Sequence, residues 1–409
     1  MVWTVFFLSY MIAVPVQAQV PDPQEYRERA RASSTRMEEA GLKDIFIGIT
    51  TDGQVVPDLF TIRTTGVSTA PVKQAADAFL GTLAPEQRGQ TLFPVDDAEW
   101  RKWANQHIYI RQGMSFENMN EAQRDAAFAM LESSLSAKGL KLTRDIMRLN
   151  GTLAELKENN YVEYGEWKYW ITIMGEPSLT EPWGWQLDGH HLVVNYFVMG
   201  DQVVMAPSFW GSEPVIAKSG KFAGTVVLAE EQEQGLQMAR TLTPQQRALA
   251  VLETSKDGNN ILAQAFSDNI VLNYAGVPVS SFSGAQKRQL LDLIRLYAGN
   301  VRDGHAEVHM AEVEAHIDDT YFAWIGGIEE GSVYYYRIHS PVILIEFDHQ
   351  TPVALRHLYT PGVPNREHVH SVIRTPNGND YGKDLLRQHY LQHPHGQPDA
   401  SGQPFWHEE

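Results

Sequence analysis

Two stretches of this 409-residue chain overlay without a gap, and that match constrains the fold more than any single motif does. Trp185–Tyr196 reads WQLDGHHLVVNY and Tyr336–Phe347 reads YRIHSPVILIEF. Apolar meets apolar at 187/338, 192/343, 193/344, 194/345 and 196/347, and polar Asn195 meets Glu346. Val342–Ile345 is a continuous run of large aliphatic residues, the pattern of a strand buried on both faces. Upstream, Tyr169-Trp170-Ile171 falls on Tyr321-Phe322-Ala323, and Met174-Gly175 on Gly326-Gly327.

Helix starts repeat in the same rhythm. Thr82–Arg88 (TLAPEQR) and Asn118–Arg124 (NMNEAQR) precede the first block. Thr241–Arg247 (TLTPQQR) and Ser281–Lys287 (SFSGAQK) precede the second. Thr243-Pro244-Gln245-Gln246 is a capping box: a hydroxyl at the cap, Pro at the first helical position, Gln three residues on. The order is two helices, a strand-rich block, two more helices, another strand-rich block. It predicts an α+β fold in which two related helix-pair-plus-antiparallel-sheet units, an internal duplication, pack as one large body. The units span 70–228 and 235–375. Residues 19–69 form an N-terminal segment, with an exposed helix over Pro21–Gly41 and a hairpin or strand pair over Ile45–Thr65. Residues 376–409 form a C-terminal helix and a flexible tail.

Met1–Ala18 (MVWTVFFLSYMIAVPVQA) is an apolar stretch closed by a small-x-small pattern, so a cleaved signal peptide is expected, with cleavage near Ala18 and a secreted or periplasmic product. The stretch is short for a membrane span, and no other segment approaches that length, so no integral membrane segment is expected after its removal. The formal charge of −17 opposes nucleic-acid binding, which needs a basic footprint, and leaves a small-molecule or metal partner open. The chain has no cysteine. Thiolate nucleophiles, Cys-ligated zinc and iron–sulfur centres are thereby excluded, and any metal must be held by nitrogen or oxygen donors.

The residues that can carry chemistry gather in the strand blocks. His368-Val369-His370 is the strongest local metal signal: two imidazoles two apart in extended chain point the same way. His190 and His191 sit at a strand mouth beside Asp188, flanked by Trp183 and Trp185; alternation places Asp188 and His190 on one face and His191 on the other. His339, between Arg337 and Glu346, overlays Asp188. The polar groups His339, Glu346, Asp348 and His349 at the ends of an apolar strand imply that those ends face a cavity or solvent. His190, His191, His339, His368 and His370 are therefore the candidate ligands of a divalent transition metal, with zinc, iron, copper and nickel all compatible. Glu346, Arg337 and Asp188 are the candidate catalytic groups. Trp183, Trp185, Tyr336 and Arg374, with Trp210 and Tyr334, are candidate substrate contacts. His305 and His309 stand at helical i, i+4 spacing, but their acidic surroundings favour a solvated face. His389, His393, His395 and His407 form a weaker cluster. The chain contains no HExxH, GxSxG, Walker or GxGxxG pattern.

Several of these pieces in order, WGWQLDGHHLVVNYFV with APSFWGSEP, then YYYRIHSPVILIEFD, HVHSVIR and NDYGKDLLRQHY, resemble the family of domain of unknown function 3500, over roughly Ala70 to Tyr390. The resemblance implies an exported or cytoplasmic protein of unassigned biochemistry and brings no reaction with it. The residues themselves suggest a His-rich metal-dependent enzyme, hydrolysis first, acting on a small and anionic substrate that Arg337 or Arg374 would hold. The alternative is a non-catalytic ligand- or metal-binding protein of the exported compartment.

Overall fold

The computed structural model describes residues 20–393; the expected leader at 1–18 and most of the His-rich tail lie outside them. Helix α1 (Pro23–Gly41) opens with Asp22 accepting from the backbone N–H of Gln24 and Glu25. The next elements are α2 (Ala70–Thr82), α3 (Pro85–Thr91), β1 (Leu92–Phe93), β2 (Met114–Ser115), α4 (Glu121–Ser134) and α5 (Ala137–Leu156). Strands β3 (Tyr169–Met174), β4 (Trp183–Gly189), β5 (Leu192–Met199), β6 (Gln202–Val204) and β7 (Ser208–Ser212) follow. The order then recurs: α6 (Ala229–Arg240), α7 (Pro244–Ala250), β8 (Val251–Glu253), β9 (Val277–Pro278), α8 (Gly284–Ala298) and α9 (Asp303–Ala315). Strands β10 (Tyr321–Gly326), β11 (Tyr334–His339), β12 (Leu344–His349) and β13 (Val369–Arg374) lead to α10 (Lys383–Gln392).

The 13 strands of the described residues form one mixed sheet, ordered β1-β3-β4-β5-β7-β13-β12-β11-β10-β8, with β2 on β3, β6 on β5 and β9 on β10. The path reads alike from either end and pivots on the antiparallel pair β7–β13. The sheet is not wholly antiparallel as expected: β1 runs parallel to β3, and β8 to β10. Two helices separate the members of each parallel pair, the long crossover that parallel strands need.

Register repeats as well. Trp185 faces Tyr196 and Leu187 faces Val194; Tyr336 faces Phe347 and Ile338 faces Ile345. One step outward, Leu187 faces Ile171 and Ile338 faces Phe322. Ile171 therefore corresponds to Phe322, and the overlay of Tyr169–Ile171 on Tyr321–Ala323 was one residue out of step, an error that exchanges the two faces of a strand. Gly175 and Gly326, both at positive φ (77° and 107°), mark the correct register. The repeated helix starts also pair off. The Gln123 amide donates to Thr82 O and Gln87 Oε1, and the Gln286 amide to Thr241 O and Gln246 Oε1.

Helices α2, α4, α5, α6, α8 and α9 cover one face of the sheet. The other face is covered by irregular chain around Ile49, Phe60, Trp100–Trp103 and Ile261–Ala265, and by α10. With both faces covered, β4, β5, β11 and β12 are buried throughout, so the polar residues they carry, such as Asn195, Glu346 and Asp348, are buried as well. The stretch Ile45–Thr65 is irregular, with bends and a turn, and pairs only through a single bridge from Thr50 to Val271. The Asn269 side chain takes the N–H groups of Ile47 and Gly48 where a strand partner would have been. The solvated face expected for His305 and His309 is also corrected. His305 is 5% exposed, and both rings line a cavity between α9, β6 and β13.

Candidate metal centre

Gly189 and Leu192 pair as the last rung of the β4–β5 hairpin, so His190 and His191 are its two-residue turn. The alternation expected of a strand therefore does not apply to them. His191 has φ 62°, the left-handed region, and its ring stacks on His190 with centroids 4.0 Å apart. Gly189 is required because an added Cβ would fall 2.1 Å from the Tyr169 ring, whose hydroxyl donates to His190 O. On the central pair, His368 precedes β13 and His370 lies within it, opposite Gly211 of β7. The Gly211 N–H donates to His191 O, which ties the turn to the sheet centre.

That junction brings three imidazoles to a point. The Nε2 atoms are 3.1 Å apart for His191–His370, 3.2 Å for His191–His368 and 3.0 Å for His368–His370. Among the described residues these three form the one group of metal-ligating side chains that close together. A cation about 2.0–2.1 Å from each nitrogen would see N–metal–N angles of about 91–106°, between octahedral and tetrahedral values, so the triangle fits a facial three-imidazole set.

Electrostatics point the same way. The rings are 6%, 3% and 7% exposed for His191, His368 and His370, so little water reaches them. Burial, with repulsion among the rings, pushes His191 and His370 well below the usual imidazole range; burial lowers His368 too, against the pull of Glu213. The neutral form is the metal-binding form. A neutral Nε2 is either donor or acceptor, so at most two sides of a triangle can be hydrogen bonds and one side always opposes like groups. A bound cation would satisfy all three lone pairs together. The His368 Nδ1–H donates to Thr351 O at 2.9 Å, which leaves its Nε2 lone pair facing the triangle.

The other candidates lie elsewhere. The His190 Nδ1 pairs with Asn150 Oδ1 at 2.9 Å, and its ring backs His191 without joining the three. His339 packs against the Tyr274 ring at 4.6 Å. Glu346 and Asp348, expected at a cavity or solvent, are fully buried as clamps. Glu346 accepts from the N–H groups of Leu262 and Ala263 and from Tyr335 OH; Asp348 accepts from Asn260 and Ile261 N–H and pairs with Lys256 at 2.9 Å. Together they hold residues 260–263 over the sheet. Arg337 stands opposite Glu346 in register and donates to Asn273 O. Asp188 pairs with Arg111 at 3.1 Å; burial pushes its carboxyl up to about 6, against the pull of that guanidinium. Arg111 in turn donates to Ala104 O and Gln106 O, and Asn105 O accepts the His191 N–H, so Asp188 anchors the segment that covers the turn.

The aromatic candidates are core residues. Trp183 donates to Ser178 O and Trp185 to Ser134 Oγ; Tyr336 donates to Glu231 O and stacks on Phe347. Trp210 and Tyr334 are likewise buried. Arg374 is fully buried and spends its donors on Asp380, Ala263 O and Gln264 O. Sequence reasoning missed Glu213, whose Oε2 is 3.5 Å from His368 Nδ1. Its only signal was its place in the motif APSFWGSEP.

Fold and site together define an α+β protein on one mixed sheet, with a buried three-imidazole group at the junction of its halves. The chain belongs to the family described as protein of unknown function (DUF3500), whose model matches residues 65–383. No curated protein and no solved structure gave a significant match. No helix among the described residues is long and apolar enough to cross a membrane.

Proposed function

We propose that this protein is a metal-dependent enzyme whose centre is His191, His368 and His370. The observation that carries the reading is the triangle of Nε2 atoms 3.0–3.2 Å apart. Closed structural zinc sites use four protein ligands, whereas catalytic sites keep a position open for water or substrate. A three-imidazole set leaves that position. Hydrolysis of a small substrate is the first reaction class, because a metal of this kind lowers the pKa of bound water and polarises a carbonyl without an organic cofactor. Glu346 and Asp188 are engaged in clamps and Arg337 donates to Asn273 O, so a metal bound to the three imidazoles would supply the chemistry. Zinc, iron, copper and nickel all suit imidazole donors.

A second reading, a non-catalytic metal-binding protein, is favoured by one observation: no ring of the three is more than 7% exposed. Metal analysis followed by assay decides. Stoichiometric metal in the purified protein, lost in a His368→Ala/His370→Ala double variant, supports the centre. Turnover on an ester and amide panel, lost in the same variant, supports the enzyme, and metal without turnover supports the binding protein. A purified protein that takes up no divalent ion refutes both.

Two further parts of the reading concern origin and address. Internal duplication is supported by the palindromic strand order and by the paired Gln123 and Gln286 networks. In register terms, Gln202, Val204 and Val342 take the places of His368, His370 and His191, so of the two positions related by the repeat, each built from both halves, only one carries the three imidazoles. Export rests on the Met1–Ala18 pattern. Amino-terminal sequencing of the mature protein tests it.

A further inference from the structure

We propose that Glu213 is the charge-balancing and positioning residue of this centre, a built-in anion for the bound cation; the proposal rests on the metal reading above. Glu213 is 3% exposed. Its carboxylate accepts from the backbone N–H of Val353 (3.1 Å), Ala354 (3.0 Å) and Leu355 (2.7 Å). Its Oε2 lies 3.5 Å from His368 Nδ1, the side of the ring away from the triangle. Among the described residues no Lys or Arg lies within ion-pair distance of it, a lack that among the buried carboxylates it shares with Glu346 alone. Asp188 has Arg111, Asp268 has Arg101, Asp348 has Lys256 and Asp380 has Arg374.

A buried carboxylate without a cation is unfavourable, and backbone donors recover only part of its lost hydration. A buried cation held by three neutral imidazoles has the mirror problem. The two sit on either side of one ring, His368, so each offsets the charge of the other. A carboxylate behind a ligating imidazole is a recurrent way to orient the ring and strengthen it as a donor. Here the direct acceptor is Thr351 O, and Glu213 pins the turn at residues 353–355 just beyond it. Glu213 therefore acts twice: through the turn, on the orientation of His368, and through its charge, on the ion.

The two roles separate experimentally. A loss of positioning does not scale with the charge of the ion, whereas the loss of a neighbouring charge does. Chelator-stripped full-length protein is titrated with Zn2+ and, without oxygen, with Cu+, each against a chromophoric competitor. Glu213→Gln is expected to weaken zinc about 100-fold and Cu+ about tenfold, since the monovalent ion loses half the electrostatic energy. Glu213→Asp keeps the charge, so its zinc-to-copper affinity ratio should stay within about twofold of wild type. Equal losses for the two ions in Glu213→Gln overturn the proposal. Should that variant not fold, Glu213→Asp decides alone, and a tenfold drop in its ratio overturns it. A wild-type protein that binds neither ion removes the metal reading itself, a different failure.

Discussion

Removing His370 tests the centre most sharply, because neighbouring histidines supply matched controls. Structural zinc is worth about 10–16 kcal/mol over four ligands, so one imidazole accounts for about 3 kcal/mol, roughly a hundredfold in Kd. His370→Ala should lose that much, since its Nε2 is 3.0 and 3.1 Å from the other two. His190→Ala removes a ring stacked on His191 but leaves all three donors, so its loss should stay below about tenfold. His339→Ala should leave affinity unchanged, because that ring packs against Tyr274. The assay is equilibrium dialysis against graded free zinc, read by mass spectrometry of the metal, with thermal unfolding alongside. At free zinc about 100 times the wild-type Kd, binding stabilises the folded chain by about 2.7 kcal/mol. His370→Ala should show only a small part of that gain at the same free zinc. Wild-type affinity in His370→Ala refutes the reasoning. Equal damage from His190→Ala refutes it too, because the donor set would then be another one.

Glu346→Gln should lower stability by about 2–3 kcal/mol in chemical denaturation, because the clamp on Leu262 and Ala263 is weakened, while metal stoichiometry is kept; lost metal at unchanged stability would return Glu346 to the centre. Gly211→Ala places a Cβ 2.6 Å from Val369 O and 3.2 Å from His370 Cδ2, so β7 must shift and metal affinity should fall; undiminished uptake would show that the strand pair yields without moving His370. Burial lowers His305 to about 4, so below pH 6.5 the unfolded chain takes up a proton that the folded ring refuses. Metal-free stability should therefore fall between pH 6.5 and about 4, by about 1.4 kcal/mol per pH unit from this ring. Denaturant titrations of His305→Gln should show the slope reduced by that amount, and identical slopes would refute the burial argument.

Much of the architecture was legible because the period of the side chains is local. The caps at Thr243 and Ser283, the block 185–196 against 336–347, and the HxH at 368–370 each follow from spacing within a few residues of each other. The same locality misled where a partner was needed. Ile45–Thr65 has strand composition, yet Asn269 takes its N–H groups. His190 and His191 have strand neighbours, yet the hairpin turns on them.

The site divides along the same line. The sequence by itself determined the donor inventory: no thiolate, two imidazoles two residues apart, two more adjacent in chain, and carboxylates in apolar strand segments. Only the tertiary structure decided which of these meet. The antiparallel pairing of β7 with β13 carries His370 to Gly211, and Gly211 to the carbonyl of His191. The resulting contact of His191 with His370 spans 179 residues of chain. Side-chain pattern sets which face a residue takes, but which distant strand lies beside it is set by the packing of the whole sheet.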